Sequence, residues 1–268
     1  MTATQQRRAL SVAVRAARAA GALMNTNLRS AKVINQEFRH DIKLELDVRC
    51  QRTIAEILHR AFPDISLLGE EGVAGDPQAP YRWVVDPIDG TVNYSYGIPH
   101  ACCSIALQRR KKGARGYANA DFESLVGVVY DPFCREMWTA IRGGPALLNG
   151  EPVRVSQRRR LAESVIALGF GKRATVLRNL LPEFEGLALK VRKLRILGAA
   201  ALELCYVASG RLEAFVESGV RLWDVAAGGL IIECAGGEFW HEQLSGEHRY
   251  RVVANNGLLR AQINKAIS

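Results

Sequence analysis

Two aspartates three residues apart offer the clearest chemistry in this sequence. The segment 83–94 reads WVVDPIDGTVNY, so an apolar, β-branched run leads into Asp86 and Asp89. Between and after them, Pro87 fixes one backbone angle and Gly90 permits close backbone approach. Carboxylates and carbonyl oxygens are the ligands that Mg²⁺ and Ca²⁺ prefer in proteins. The segment therefore predicts a turn that can hold a hard cation.

The same residues have a second interpretation. Asp-Pro and Asp-Gly pairs are common in turns that carry no chemistry. If the segment does bind a cation, and if the amides of Gly90 and Thr91 open a turn or a helix, these amides would supply the complementary site for an anion. This segment alone does not choose between an inert turn and a site, so other segments decide.

Two further acidic segments also follow apolar runs. Glu70 and Glu71 come directly after Leu68-Gly69, and Asp224 precedes the apolar segment 225–228. Alone, the first is typical of a turn and the second of a helix N-cap. Both lie at element boundaries, where side chains can converge on a cleft. Together with Asp86 and Asp89 they could supply carboxylates to two metal ions.

These residues need elements that position them, and the pattern predicts mixed α and β structure. Helical periodicity indicates two helices ahead of the strands, at 4–29 and 48–61, and later helices at 174–188, 199–209 and 225–235. Strands are expected at 66–69, 81–85, 102–108, 125–131, 136–141, 152–155, 165–168, 193–196, 214–217 and 251–254. The charged, Gly-containing stretch 111–124 is interpreted as an exposed hairpin loop.

The predicted elements change near residues 156–163, from a series of strands to alternating strands and helices, and this change predicts two sub-domains. Residues 1–157 would form an N-terminal α+β unit with the metal and phosphate motif. Residues 158–268 would form a C-terminal α/β unit that completes the site. The length of 268 residues allows such an arrangement.

Composition limits the function classes. With 48% hydrophobic and 24% charged residues and no apolar run of about 18, we expect no membrane span. The Arg-rich, acid-poor N-terminus is compatible with a transit peptide, but its helical spacing favours a structural helix and a cytoplasmic protein. The net charge of +9 comes partly from basic runs without alternating aromatics, so nucleic-acid binding is not expected. The scattered cysteines predict a mostly buried, reduced set.

In this order, the acidic segments resemble the inositol monophosphatase family, which lies in the larger group of fructose-1,6-bisphosphatases and phosphoadenosine phosphatases. The resemblance rests on segment 83–94 together with WDVAAG at 223–228, and similar blocks extend it over nearly the whole chain. It implies an α+β fold, a layered αβαβα sandwich of the inositol monophosphatase and fructose-1,6-bisphosphatase type. It also implies a homodimer, two Mg²⁺ ions with a possible weaker third site near Asp41, and inhibition by Li⁺.

The resemblance also assigns roles to individual residues. Metal ligands would be Glu70, Asp86, the Ile88 carbonyl, Asp89 and Asp224. Catalytic residues would be Glu70 and Thr91, which orient the attacking water, with Asp47 supporting Thr91. The substrate would contact Asp89, Gly90, Thr91, Gly198, Ala199, Ala200, Glu217 and Asp224.

Three positions depart from the pattern of the family. Gln36 replaces a common Lys, Leu44 replaces a common Thr, and Ala199 stands where many members have Ser or Thr. We therefore expect an altered surrounding of Asp47 and a missing hydroxyl contact to the substrate.

The resulting hypothesis is Mg²⁺-dependent hydrolysis of a small phosphate monoester by activated water, with inositol monophosphate or a related sugar or polyol phosphate as substrate. Alternatives are histidinol phosphate, fructose 1,6-bisphosphate or a 3′-phosphonucleotide. A weakly catalytic regulatory or nucleic-acid-binding member of the family is an alternative from another class.

Overall fold

The computed structural model describes residues 1–30, 34–38, 41–116, 118–170 and 174–267, without the side chains of 34–38, 41–43 and 174–180. Its helices are α1 (Ala3–Asn27), α2 (Glu45–Ala61), α3 (Thr91–Ser95), α4 (Ala174–Ala188), α5 (Ala200–Ala208), α6 (Leu222–Cys234) and α7 (Arg260–Ile267). Its strands are β1 (Ile34–Phe38), β2 (Asp41–Leu44), β3 (Ser66–Gly69), β4 (Gly72–Ala74), β5 (Tyr81–Asp89), β6 (Cys102–Arg110), β7 (Phe122–Asp131), β8 (Glu136–Ile141), β9 (Leu147–Leu148), β10 (Glu151–Pro152), β11 (Val165–Phe170), β12 (Lys193–Arg195), β13 (Ala214–Arg221), β14 (Glu238–Gln243) and β15 (Arg249–Asn255).

The first large sheet has eight strands in the order β10-β9-β8-β7-β6-β5-β3-β4. Its pairs are antiparallel except β3 and β5, which run parallel. The central strands are buried on both faces, because α1 and α2 pack on one side and α6 packs on the other. This two-sided burial explains why these strands read as continuous apolar runs instead of alternating.

The second sheet has five strands in the order β12-β11-β13-β15-β14. Strand β11 pairs in parallel with β12 and β13, whereas β15 is antiparallel to β13 and β14. Helices α5 and α6 lie against one face of this sheet. Helix α4 packs against β11 and α7, and a third apolar cluster joins the sheet to α7.

The layers follow the order helix, sheet, helix, sheet, helix, as the resemblance predicts. Helix α6 lies in the middle layer, and nine of its residues, from Leu222 to Ile232, are buried. A helix between two sheets needs apolar residues all round, which its sequence supplies. The fold is therefore the layered α+β sandwich. The division at residue 157 stays a prediction.

Several predicted bounds match and others need correction. Strands β3 and β8 and helix α4 have the predicted limits. Strand β5 extends to Asp89 instead of ending at Val85, so the paired aspartates lie inside it. A hairpin, β1-β2, lies between the first two helices, contrary to the prediction that both helices precede all strands.

Two other corrections concern short or polar elements. Residues 153–155 are not a strand, because the short strand β10 ends at Pro152. Strand β14, with sequence EFWHEQ, was not predicted, since four of its six residues are exposed and no buried run marks it. The loop between β6 and β7 covers residues 111–121 and not the predicted 111–124, because β7 already begins at Phe122; Tyr117 is outside the described residues.

Two predictions from composition can be compared with the structure. Among the described helices, none combines the length and the apolar character that crossing a bilayer requires. The six cysteines are free thiols, and four of them, Cys50, Cys102, Cys103 and Cys205, are buried.

Candidate active site

The parallel pairing of β3 and β5 brings the first two acidic segments together. Gly69, the last residue of β3, pairs with Val85 inside β5, and the amide of Glu70 donates to the Val85 carbonyl over 3.1 Å. Carboxyl ends of neighbouring parallel strands lie at the same edge of a sheet, a common place for ligands. Glu70 therefore leaves the sheet next to Asp86, which is still inside β5.

A β-bulge turns Asp86 and Asp89 to the same side of the sheet. Residues three apart in a regular strand point to opposite faces, because side chains alternate with a period of two. Here Asp86 pairs with Ser104 but Asp89 pairs with Cys102, so β5 has one more residue than β6 between these two pairs. The extra residue resets the alternation. Pro87, which has no amide to donate, falls inside the bulge.

The turn after β5 positions Thr91 beside Asp47. The hydroxyl of Thr91 lies 2.8 Å from the Ile88 carbonyl oxygen, to which it donates, and 3.5 Å from Oδ1 of Asp47. The other oxygen of Asp47 accepts from the amide of Leu44 over 2.7 Å, at the start of α2. Asp47 is 3% exposed, so a helix N-terminus holds it behind Thr91.

Helix α6 carries Asp224 into the same region. Asp224 is the third residue of α6, and its Oδ2 accepts from the amide of Arg221 over 2.8 Å. The helix lies close to the first sheet because Gly127 has no side chain: a Cβ there would lie 2.8 Å from the Ala227 carbonyl oxygen. The hydroxyl of Ser104 donates to the Trp223 carbonyl over 3.0 Å and fixes the helix start.

The carboxylates are close enough to oppose each other's ionisation. Burial, followed by the charges of Glu70, Asp89, Asp224 and Asp47, raises the pKa of Asp86 well above its ordinary value. Burial and then the charge of Asp224 raise the pKa of Asp89 to about 8, against the hydrogen bonds that it accepts. Four elements therefore deliver negative charge to one buried place.

Such a cluster suits divalent cations in charge and in donor type. Carboxylate and carbonyl oxygens are hard ligands, and a cation would remove the repulsion that raises these pKa values. Within the described part of the chain, however, no three His, Cys, Asp or Glu side chains are already arranged as a metal-ligating group. Oδ1 of Asp86 accepts from the Ile88 amide, and Oδ2 of Asp89 from the Ala201 amide. Side chains would therefore have to adjust when a cation binds.

Gly90 closes the turn in a conformation that suits glycine. Its φ is +89°, and a Cβ would lie 2.8 Å from the His100 carbonyl oxygen and 3.2 Å from the Cβ of Ala199. Helix α3 begins at the next residue, Thr91, so these amides do open a helix. Ala199 is 0% exposed, so neither its methyl group nor its backbone reaches the surface in this structure, and its contact with a substrate stays a prediction.

The remaining predicted substrate residues lie in two places. Gly198, Ala199 and Ala200 lead into α5, whose first amides, on Ala200 and Ala201, donate to Asp89. Glu217 lies on β13 beside Gly169 of β11, where a Cβ would fall 3.0 Å from the Cγ of Glu217. Glycine at 169 thus leaves room for the glutamate. The side chains of Gln36 and Asp41 lie outside the described residues.

Sequence reasoning missed four residues that support this site. Gln51 of α2 accepts from the Glu71 amide over 2.9 Å and donates to the Gly72 carbonyl, fixing the turn that carries Glu70. The thiol of Cys102 donates to Asp89 over 3.7 Å. Asn93 and Glu203 bond to the backbone at 197–198. No periodic pattern in the sequence marks them, because each acts through a single specific contact: Cys102 with the Asp89 carboxylate and the other three with backbone groups.

Comparison with known proteins identifies the family of the chain. The model of the inositol monophosphatase family matches residues 5–268. The chain is 38% identical to a Nus factor SuhB of Pseudomonas aeruginosa, covering 92% of this chain and 91% of that protein. It is also 38% identical to inositol monophosphatase 1 of Solanum lycopersicum, and the match covers 85% of this chain and 82% of that protein.

Solved structures agree with the fold. The crystal structure of the extragenic suppressor protein suhB from Bartonella henselae has a TM-score of 0.86 and 31% identity, covering 96% of this chain and 97% of that one. The family match spans the four segments that supply Asp47, Glu70, the Asp86–Asp89 bulge and Asp224. The chain belongs to the inositol monophosphatase family.

Proposed function

We propose that this protein hydrolyses small phosphate monoesters, with inositol monophosphate or a related sugar or polyol phosphate as substrate, in a Mg²⁺-dependent reaction. The observation that carries the proposal is the convergence of four carboxylates on the buried Asp86, just before the turn that opens helix α3. Membership of a family that includes an inositol monophosphatase of Solanum lycopersicum supports it.

Glu70, Asp86, the Ile88 carbonyl, Asp89 and Asp224 would hold two Mg²⁺ ions. When bound, these ions would neutralise the dianionic ester and lower the pKa of water at the site. A third, weaker site is part of the proposal. Li⁺ is expected to inhibit by competing for one of these positions.

Residues of the chain itself would orient the reactants. The amides of Gly90 and Thr91 would receive the phosphate oxygens, since the start of a helix attracts anions. Glu70 would accept a proton from the attacking water. The Thr91 hydroxyl, whose proton is directed to the Ile88 carbonyl or to Asp47, would accept a hydrogen bond from the same water. Asp224, on helix α6, would orient a second water that protonates the leaving alkoxide.

A phosphate-release panel with and without Mg²⁺ tests this proposal. Inositol 1-phosphate, β-glycerophosphate, histidinol phosphate, fructose 1,6-bisphosphate and a 3′-phosphonucleotide separate the proposed class from its alternatives. We expect the polyol esters to be hydrolysed fastest, with loss of activity on adding Li⁺. Full activity of Asp224→Asn would contradict the assignment of the second ion.

A regulatory or nucleic-acid-binding role is the second candidate. The similarity to a protein named Nus factor SuhB and the net charge of +9 favour it. Several arginines of the basic runs are nevertheless paired with acids: Arg109 with Glu123, Arg158 with Glu213 and Arg160 with Glu163. Such pairing reduces the charge offered to phosphates. Salt-dependent retention of RNA, together with no hydrolysis of any ester in the panel, would favour this role over catalysis.

Two further proposals complete the description. We expect a homodimer, which sedimentation at several concentrations would test. We also expect a cytoplasmic location, since the free thiols suit a reducing compartment. Fractionation of cells that express the protein would test that location.

A further inference from the structure

The segment 196–199, which leads into α5, does not fix its own conformation. Gly198 has a φ of +79°, a region that L residues rarely adopt. The N-cap position of α5 is Ala199, which has no side chain to accept from the first amides of the helix. The position of this segment therefore depends on groups outside it.

Glu203 holds the segment from the helix side. One oxygen, Oε1, accepts from the amides of Leu197 over 2.9 Å and of Gly198 over 3.1 Å. The side chain is 1% exposed, and its Oε2 has no hydrogen-bond partner among the described residues. A buried carboxyl group is costly where an apolar side chain would pack. Acceptance of these two amides accounts for its presence.

Asn93 holds the same segment from the opposite side. Its Nδ2 donates to the Leu197 carbonyl over 2.8 Å and to the His100 carbonyl over 3.0 Å, and it lies 3.4 Å from the Gly198 carbonyl oxygen. Glu203 thus takes the amides and Asn93 the carbonyls of one short stretch of backbone. We name these two side chains together the 93–203 clamp.

The clamp connects the two sides of the proposed site. Asn93 lies in α3, two residues after Thr91, so it moves with the turn that would receive phosphate. The clamped segment leads directly to the Ala201 amide, which donates to Asp89 over 2.7 Å. A displacement of the segment would therefore change its distance from the phosphate turn and the position of Asp89.

We propose that Glu203 and Asn93 are positioning residues that fix the backbone at 197–198 as one wall of the site and thereby set which leaving alcohol is accepted. This inference rests on the proposed phosphatase function. Neither side chain needs to touch the substrate. They act through the distance between the phosphate turn and the start of α5, so that a polyol is held in one orientation for attack.

Variants at both ends of the clamp test the proposal. The measured quantity is the ratio of kcat/KM for inositol 1-phosphate to that for β-glycerophosphate. Glu203→Ala and Asn93→Ala should each lower this ratio about tenfold, mainly through KM. Glu203→Gln keeps an acceptor oxygen and the same shape, so it should stay within about twofold of the wild type.

Glu213→Ala is the matched control. Glu213 is also 1% exposed and also accepts from a backbone amide, that of Val165, but its partners lie at the start of β11 and in the segment before it. Its loss should reduce thermal stability without changing the substrate ratio. An unchanged ratio in both alanine variants, or an equal loss in Glu203→Gln, would overturn the proposal.

Hydrogen exchange separates failure of the clamp from failure of the proposed activity. If the wild type hydrolyses no ester, the phosphatase proposal fails, but exchange of the Leu197 and Gly198 amides still reports on Glu203. These amides should exchange at least about tenfold faster in Glu203→Ala and at nearly the wild-type rate in Glu203→Gln. Equal exchange in wild type and Glu203→Ala would show that Glu203 does not hold the segment.

Discussion

Two buried acidic places in this molecule are neutralised in different ways. Glu213 is 1% exposed, and its two oxygens bond to Arg158 and to the Val165 amide, each over 2.6 Å. Asp86 is equally buried, yet the charges that act on its pKa are those of four other carboxylates. The first is a structural ion pair supplied by the chain. The second gathers like charge, an arrangement that is typical of a site for an external cation.

Among the substitutions that test this difference, Asp86→Asn is expected to have the largest effect, and the quantity that it changes is the rate of phosphate release. Asp86→Asn keeps the shape but removes the central charge, so phosphate release should fall by at least about a thousandfold, or about 4 kcal/mol of activation free energy. Release is measured at saturating Mg²⁺. Circular dichroism should show that the variant is folded. Retention of more than a tenth of the activity would remove Asp86 from the proposed metal ligands.

Breaking the structural pair should instead affect stability alone. Arg158→Met leaves Glu213 buried without its cation, but Arg158 is half exposed, so the expected loss is only about 1–2 kcal/mol of unfolding free energy. Urea unfolding measures it. Phosphate release by the folded variant, measured at urea concentrations below those at which it unfolds, should equal that of the wild type. A large drop in kcat would mean that the two acidic places are coupled.

Metal removal should reverse the order of stability between wild type and Asp86→Asn. Without metal, ionised Asp86 is repelled by its neighbours, so the Asn variant should melt roughly 2–4 °C above the wild type at pH 8 with a chelator. Mg²⁺ should raise the Tm of the wild type more than that of the variant. A variant that gains as much from Mg²⁺ as the wild type would show that the ion binds elsewhere.

The last prediction concerns Glu203, which affects stability and leaves the metal ligands unchanged. Burial raises its pKa to about 8 from an ordinary value of 4.5, so the folded state binds this proton more tightly. The stability from this group is complete below pH 4.5 and is lost as pH rises through about 8. Glu203→Gln removes that loss, so the difference in Tm between the wild type and the variant should shift against the wild type by several degrees between pH 5 and pH 8. Parallel Tm curves across that range would contradict it.

The residues that sequence reasoning identified are those whose signal is local. The run that enters Asp86, the glycine at 90 and the apolar segment after Asp224 each mark an element boundary, and resemblance to the family linked them. Asp47 was also named, since it matches a family position. The layered fold followed from the same motifs.

Other features depend on contacts between distant segments. The bulge that turns Asp89 toward Asp86 appears only in the pairing with β6, because Asp-Pro-Ile-Asp reads equally well as a turn after the strand. Gln51 and Asn93 bond to backbone groups of distant segments, and Glu203 bonds to the segment just before its own helix; none of these contacts gives a periodic signal in the sequence. Strand β14 was missed because an exposed edge strand lacks a buried apolar face.

The most direct test of the account is phosphate release from inositol 1-phosphate as a function of Mg²⁺ concentration, for wild type, Asp86→Asn and Arg158→Met in parallel. We expect saturable dependence on Mg²⁺ in the wild type, the same curve in Arg158→Met, and almost no release in Asp86→Asn. Release that does not depend on Mg²⁺, or that survives in Asp86→Asn, would contradict the claim that the buried carboxylates form the catalytic metal site.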